Sequence, residues 1–225
     1  MTELLDRPSN QSVPFFANTP DGNNCFQAAL RSVLKHFQPE RDFTLQELEV
    51  ITAKKDKEYW TWPYAGAAWM IDQGFEVKDI EIFDNGRFVA EGVAYLREFM
   101  GPEVANAQIA HADIEQERAL GKVFLEKVHV QLAIPDRLAL RKLLREGFLI
   151  ICNINSSVLE KKAGYNGHFV VVTAMTDLTV TFHDPGPPGH ENRRVSHSKF
   201  ERAWAYPTQK AKNILAFRYK RASSS

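Results

Sequence analysis

The sequence has little cysteine, no excess of charge of either sign and no long apolar run. Its two cysteines, Cys25 and Cys152, are too few for a disulfide framework or a cysteine-rich zinc site. Acidic and basic residues number 28 each, so the sequence predicts no charge-driven binding of nucleic acid or of an anionic membrane surface. No stretch approaches the ~20 apolar residues needed to span a bilayer. These absences favour an ordinary soluble protein.

The expected domain organisation follows from the chain length and from its two ends. Residues 1–12 are polar and mixed in charge, without an apolar segment of signal-peptide length. We therefore expect a loose arm, no export, and a cytoplasmic location with both thiols reduced. The 225 residues predict a single domain over residues 13–220, followed by a disordered serine-rich tail at 221–225. No pattern determines the oligomeric state.

Turn-forming residues pass directly into an amphipathic helix between residues 18 and 37. Five apolar side chains recur there at the helical period and predict one buried face. They are Phe26, Leu30, Val33, Leu34 and Phe37. Cys25 stands at the predicted start of this helix, where unpaired backbone N–H groups and the helix dipole favour the thiolate. The alternative is a small buried structural cysteine, which is what we expect of Cys152 in its apolar run.

The same N–H groups could stabilise an oxyanion formed when the sulfur attacks a carbonyl. A side-chain amide would complete such a hole. Asn18 is the expected donor, with Asn23 and Asn24 as alternatives in the same turn.

Helical patterns dominate the first half of the chain, and strand patterns dominate the second. Helices are predicted at about 25–37, 44–54, 61–74, 87–100, 113–128, 135–147 and 198–206, and strands at 75–83, 148–154, 168–174, 178–183 and 213–219. This order predicts an α+β fold in which a helical N-terminal half, carrying the Cys, packs on a C-terminal antiparallel β-sheet.

Two of the predicted strands form a hairpin. If residues 175–177 are its loop, His168 faces Asp184, and directly opposed side chains lie about 4.5–5.5 Å apart at Cβ. The carboxylate would then orient the imidazole and leave its other nitrogen for the thiol. The alternative is a His–Asp pair at a sheet edge without a third partner.

Aromatic residues cluster just before the third predicted helix. Trp60, Trp62, Tyr64 and Trp69 could form core or the wall of a substrate groove, and we expect Trp62 and Tyr64 to contact substrate. Gly167, with its small neighbours, is expected to leave room for a substrate backbone.

Three histidines near the hairpin raise the question of a metal. His183, His190 and His197 lack the spacing of a helical ligand pair, and His183 should point away from His168. We therefore expect no metal and no cofactor.

In combination, these features resemble the papain-like cysteine peptidases. The order is a helix-borne Cys after an amide-rich turn, then Gly-His-Phe-Val-Val-Val, then Thr-Phe-His-Asp-Pro-Gly. It is most similar to the bacterial family typified by the leader peptidases of bacteriocin exporters, over about residues 13–217. The resemblance implies Cys25 as nucleophile, His168 as general base and acid, and Asp184 as the group that orients it.

The sequence departs from that family at two positions beside the Cys. The family's oxyanion glutamine lies six residues before the Cys, where this chain has Thr19, with Asn18 one residue further out. Phe26 replaces the glycine that follows the Cys. The implied function is thiol-dependent hydrolysis of a peptide or amide bond through an acyl-enzyme thioester. The alternatives are acyl transfer by the same residues, or an inactive peptide-binding module.

Overall fold

Helices and strands are joined by short loops in a computed structural model that describes residues 12–56 and 58–220. The strands are β1 Phe75–Glu81, β2 Val130–Leu132, β3 Leu149–Asn155, β4 Gly167–Met175, β5 Thr179–Asp184, β6 His190–Ser196 and β7 Asn213–Tyr219. The helices are α1 Cys25–Phe37, α2 Leu45–Ile51, α3 Tyr64–Asp72, α4 Asn85–Glu91, α5 Val93–His111, α6 Ile114–Lys127, α7 Arg137–Arg145, α8 Ser156–Leu159 and α9 His197–Trp204, with a 3-10 turn at Gln209–Ala211. The predicted arm and tail, residues 1–12 and 221–225, lie outside the described residues apart from Ser12.

One seven-stranded sheet, in the order β2-β1-β7-β3-β4-β5-β6, organises the fold. Neighbouring strands are antiparallel except for β1 and β2, which run parallel. The α+β class is confirmed. The sheet is not built from the C-terminal half alone, because β1 comes from the first half of the chain. Within the described part of the chain, no helix is both long enough and apolar enough to cross a membrane.

Both faces of the sheet are covered by apolar side chains. Val171 of β4 belongs to the same buried cluster as Leu30 of α1. Its neighbours Val170 and Val172 belong to a second cluster with Trp204 of α9. Alternate residues of β4 therefore contribute to two different cores, as expected of a strand buried on both faces.

Helix α1 begins at Cys25, as the pattern predicts. Four residues of its apolar face, from Phe26 to Leu34, are no more than 1% exposed, and Phe37 is partly buried against the same cluster. The next helix, α2, begins with a capping box between Thr44 and Glu47. The fold therefore fixes the Cys at a helix start that is held against the sheet.

Strand β6 was not predicted from the sequence. Six of its seven positions carry polar or charged residues, and among the described residues it pairs on one side only, with β5. A polar edge strand lacks the apolar alternation by which strands are recognised. The short elements β2 and α8 were missed for lack of length.

The predicted hairpin register was wrong. Val172 pairs with Phe182 rather than with Val180, and a bulge at Thr173 shifts the pairing by one residue nearer the turn. The loop lies one residue later than predicted, because the Thr176 hydroxyl accepts hydrogen bonds from the N–H groups of residues 178 and 179. Between the bulge and His168, the observed pairing differs from the predicted pairing by two residues. A shift of two residues leaves each side chain on its predicted face of the sheet. His168 and Asp184 are therefore on one side of the sheet, but they are diagonal rather than directly opposite.

Candidate active site

The thiol of Cys25 lies where α1 starts and where α1 contacts β4. The two elements are joined by the rings of Phe26 and Phe169, whose centroids are 5.0 Å apart. Cys25 is partly exposed, and its sulfur accepts hydrogen bonds from the backbone N–H groups of Phe26 and Phe169. Because His168 precedes Phe169 on the strand, this contact also brings the imidazole to the sulfur, and the two side chains are hydrogen-bonded.

His168 is held from its other side by Asp184. The His168 Nε2 to Asp184 Oδ1 distance is 2.8 Å, and the residues are 6% and 4% exposed. A carboxylate can only accept, so Nε2 carries the hydrogen and Nδ1 is the nitrogen left for Cys25. The structure thus brings together the three residues for which the resemblance implies a catalytic role.

Arg193 of β6 is a further member of this cluster that was not predicted from the sequence. Its Nη1 lies 2.7 Å from Asp184 Oδ2, and its Nη2 lies 2.5 Å from Glu160 Oε1. The N–H of Gly186 donates to Asp184 Oδ1 at 3.1 Å. Both carboxylate oxygens are therefore occupied, which fixes the plane of the group that orients His168. The basic pair Arg193 and Arg194 is the only trace of this role in the sequence, and it does not differ from an ordinary polar edge.

Charge separation is favoured within this cluster. Burial raises the pKa of Cys25, but the hydrogen bond and positive charge of His168 outweigh it, so the pKa of the thiol lies below its ordinary value. Burial lowers the pKa of His168, yet the hydrogen bonds to Asp184 and Cys25 raise it to about 10. For Asp184, burial raises the pKa, while His168 and Arg193 together lower it to about 2. Near neutral pH these shifts favour a thiolate beside an imidazolium.

Asn18 is not placed as an oxyanion donor. Its Nδ2 donates to the carbonyl oxygens of Gly22 and Gly186 at 2.8 and 2.9 Å, and its Oδ1 accepts from the N–H of Asn24 at 2.8 Å. These bonds tie the turn before α1 to the loop after Asp184. Because both amide hydrogens are used, Asn18 leaves none for an oxyanion, which corrects the first choice of donor.

The two alternative donors differ from each other. Asn24 is 4% exposed, and its Nδ2 donates to the Thr19 hydroxyl at 3.2 Å. Asn23 lines the cavity beside Cys25, and its side chain has no hydrogen bond among the described residues. Of the three asparagines, Asn23 is therefore the one with a free amide at the site.

A cavity of about 470 Å³ opens beside Cys25 and His168, and Trp62 and Tyr64 both line it. The indole of Trp62 stacks on Phe88, with centroids 4.8 Å apart, and its Nε1 donates to Gln108 at 2.9 Å. Tyr64 is 3% exposed, and its hydroxyl donates to Asn85. The rings of Trp62 and Tyr64 therefore form part of the cavity wall, and the indole N–H and the phenol hydroxyl are hydrogen-bonded within the protein.

Gly167 also lines the cavity, but the space beside it is filled. A Cβ there would come within 2.5 Å of the Tyr165 hydroxyl. The approach to His168 is fixed by Asn155, which accepts from the N–H of Asn166 and donates to the carbonyl of Gly164. The structure therefore differs from the expectation that small residues leave room at this point.

The remaining aromatic and thiol residues are placed as follows. Trp60 lines the cavity, whereas Trp69 packs against Phe43 at 5.7 Å. Cys152 is fully buried, as predicted, and burial alone raises its pKa. Gln27, which also lines the cavity, is fully buried, and its side chain donates to the hydroxyls of Thr52 and Thr61.

The histidines of the hairpin do not converge. His183 lies on the opposite face from His168 and is bonded to the carbonyl of Val13 and the N–H of Asn192. His197 is bonded to the carbonyl of Thr176. In residues 12–56 and 58–220, no group of three His, Cys, Asp or Glu side chains is arranged to hold a metal ion.

The sheet, the helix that starts at Cys25 and the strand that carries His168 define a papain-like peptidase fold. The peptidase domain of Streptococcus ComA, a bifunctional ABC transporter involved in a quorum-sensing pathway, matches with a TM-score of 0.50 at 14% identity, over 93% of this chain and all of that domain. A C39-like peptidase from Bacillus anthracis matches with a TM-score of 0.49 at 16% identity, over 94% of this chain and 96% of that one. No protein-family model matches the sequence, and no curated protein matches it.

Proposed function

We propose that the protein is a thiol-dependent hydrolase that cleaves a peptide or amide bond through an acyl-enzyme thioester. One observation carries the proposal: Cys25, His168 and Asp184 form a continuous hydrogen-bonded chain at the mouth of a cavity. The likeness of the fold to a peptidase domain supports the same class of reaction.

In the first half of the reaction, the Cys25 thiolate attacks the carbonyl carbon of the substrate. A carbon–sulfur bond forms, and the carbonyl π electrons move to oxygen. The N–H groups at the start of α1 lie beside this oxygen, and the Asn23 amide is the side chain we propose to complete the hole. The tetrahedral intermediate collapses as the carbon–nitrogen bond breaks, and the His168 Nδ1 proton passes to the leaving amine.

In the second half, His168 is neutral and acts as a base. It takes a proton from water while the water oxygen attacks the thioester carbonyl. The carbon–sulfur bond then breaks, which releases a carboxylic acid and restores the thiolate and imidazolium. Asp184 remains ionised throughout and stabilises the imidazolium, because Arg193 and the Gly186 N–H hold its charge.

A cytoplasmic location is part of the proposal. Both cysteines are free thiols, and a reducing compartment would keep the nucleophile in that form.

The proposal is tested by exposing the protein to a panel of acyl-donor peptides and amides. Products would be identified by mass spectrometry, together with the mass of the intact protein. We expect cleavage and a transient acyl adduct on Cys25 in the unsubstituted protein and in the Cys152→Ala control, and neither in Cys25→Ala. Cleavage that survives Cys25→Ala would contradict the proposal. An adduct that is released only by added amines would indicate acyl transfer instead.

A further inference from the structure

The cavity extends away from Cys25 across one face of the sheet. Phe169 of β4 pairs with Asn153 of β3, Asn153 is hydrogen-bonded to Asn213 of β7, and Asn213 pairs with Glu81 of β1. All four side chains line the cavity. This row spans three strand intervals, or ~14 Å at about 4.8 Å each. Its near end is the residue whose N–H donates to the Cys25 sulfur.

Two carboxyl groups form the far end of the cavity. Asp79 and Glu81 are two residues apart on β1 and therefore share a face, and both line the cavity. Asp79 is only 7% exposed, and its side chain has no hydrogen bond or ion pair among the described residues. Glu81 accepts one hydrogen bond, from Asn85 Nδ2 at 2.9 Å. An unpaired carboxyl buried to this extent is costly unless a partner arrives.

No cation of the described chain neutralises this pair. The Lys and Arg residues that line the cavity are Lys162, Arg193 and Lys210, and none of them forms an ion pair with Asp79 or Glu81. The His168 imidazolium, which also lines the cavity, is paired with Asp184. Arg193 is already bound to Asp184. Burial raises the pKa of Asp79, with the charge of Glu81 adding to the effect. Burial also raises the pKa of Glu81, to about 7.

Apolar side chains also line the cavity that the two carboxyl groups enter. Phe83 follows Glu81 by two residues and packs on Phe99, with ring centroids 5.1 Å apart. The apolar lining residues are Phe83, Phe99, Met100 and Val104. Apolar side chains beside two carboxyl groups match a side chain with a long aliphatic stem and a cationic head, whose charge would favour the ionised carboxylates.

We propose that the Asp79 and Glu81 end of the cavity binds the ammonium or guanidinium group of a Lys or Arg side chain of the substrate. The inference rests on the proposed function, because it assigns the substrate class of that same site. An extended peptide covers ~3.3 Å per residue, so the ~14 Å row places the basic residue within about four residues of the scissile bond.

Binding is tested without catalysis in the Cys25→Ala protein. The probe is agmatine, which carries both cationic head groups on a short aliphatic chain, and 1-pentanol serves as its neutral counterpart. We expect calorimetry to detect saturable binding of agmatine and none of pentanol. Asp79→Asn and Glu81→Gln should each weaken agmatine binding by at least about tenfold. Glu126→Gln, which removes an exposed carboxylate, should leave it unchanged.

Substrate choice is tested separately with peptides that carry Lys, Arg, norleucine or citrulline at each position near the scissile bond. Basic residues should raise kcat/KM at one position at least tenfold, and the preference should vanish in Glu81→Gln but persist in Glu126→Gln. Equal agmatine and pentanol binding in the Cys25→Ala protein would overturn the inference, and this comparison needs no carboxyl variant to fold. Agmatine binding without cleavage of any peptide would instead count against the proposed function alone.

Discussion

Asp184 is the residue at which the electrostatics of the site converge. One of its oxygens accepts from His168 Nε2 and the other lies 2.7 Å from Arg193 Nη1. The two cationic partners hold the carboxyl ionised down to acid pH, since they lower its pKa to about 2. Through His168 this charge also determines how readily the Cys25 thiol ionises.

Replacing Asp184 by Asn keeps the shape and removes the charge. We expect the pKa of His168 to fall from about 10 by about 1 to 3, because an opposite charge at hydrogen-bond distance is worth that much. NMR titration of the His168 ring would measure this shift. Asp177→Asn, at an exposed carboxylate, should leave the His168 titration unchanged. An unaltered pKa in Asp184→Asn would show that the carboxylate does not support the imidazolium.

At the level of elements, the position of the Cys depends on close packing between α1 and α3. A Cβ added at Gly66 of α3 would come within 2.8 Å of the Phe26 ring and 3.3 Å of Leu30. Only glycine lets α3 approach α1 at this point. Any side chain here would displace the helix whose first residue is the nucleophile.

Gly66→Ala is therefore expected to destabilise the fold by about 1 to 3 kcal/mol, despite the higher helix propensity of alanine. Urea unfolding would measure the change. Phe26→Leu should relieve the clash, so the double variant should lose less than the sum of the two single variants. A Gly66→Ala protein as stable as the unsubstituted one would contradict the packing argument.

Local pattern was enough to place Cys25, His168 and Asp184, because each is defined by its own helix or hairpin. Their partners could not be found that way. Arg193 contacts Asp184 from an edge strand of ordinary polar composition. The role of Asn18 in connecting two loops depends on Gly186, which is distant in sequence and close only in the folded protein. The bulge at Thr173 likewise depends on the neighbouring strands.

At the scale of the whole molecule, one cavity is lined both by the Cys25 nucleophile on α1 and by two carboxyl groups on β1. Strands β3 and β7 lie between β1 and β4, the strand that α1 contacts. The carboxyl groups are buried by the sheet order, which inserts β1 between β7 and a short parallel β2. The burial of Asp79 and Glu81 cannot be predicted from the local sequence of β1, because polar and apolar residues are mixed along this strand.

The burial of Glu81 predicts a dependence of stability on pH. Its pKa is raised from 4.5 to about 7 in the folded protein, so the folded state holds a proton that the unfolded state has lost. The stabilisation is fully present below pH 4.5 and is lost as the pH rises to about 7. Glu81→Gln should remove this loss, so that its stability relative to the unsubstituted protein rises by about 3 kcal/mol between pH 4.5 and 7.

Urea unfolding at several pH values between 4.5 and 7.5 would measure the difference. Glu126→Gln serves as the matched control and should follow the unsubstituted protein at every pH. A Glu81→Gln effect of constant size across the window would contradict the raised pKa.

The central claim is that Cys25 is held as a thiolate by His168, and the pH profile of its alkylation tests this most directly. Rates of iodoacetamide labelling would be followed by mass spectrometry of the intact protein and its peptides. Between pH 6 and 8 the rate at Cys25 should rise clearly less than the roughly 80-fold expected of a thiol of ordinary pKa near 8.5. In His168→Ala it should rise by roughly 80-fold or more, because burial then raises the pKa of the thiol without the opposing effect of the imidazolium. A Cys25 rate that rises equally steeply with and without His168, or equally slow labelling of Cys25 and Cys152, would contradict the account.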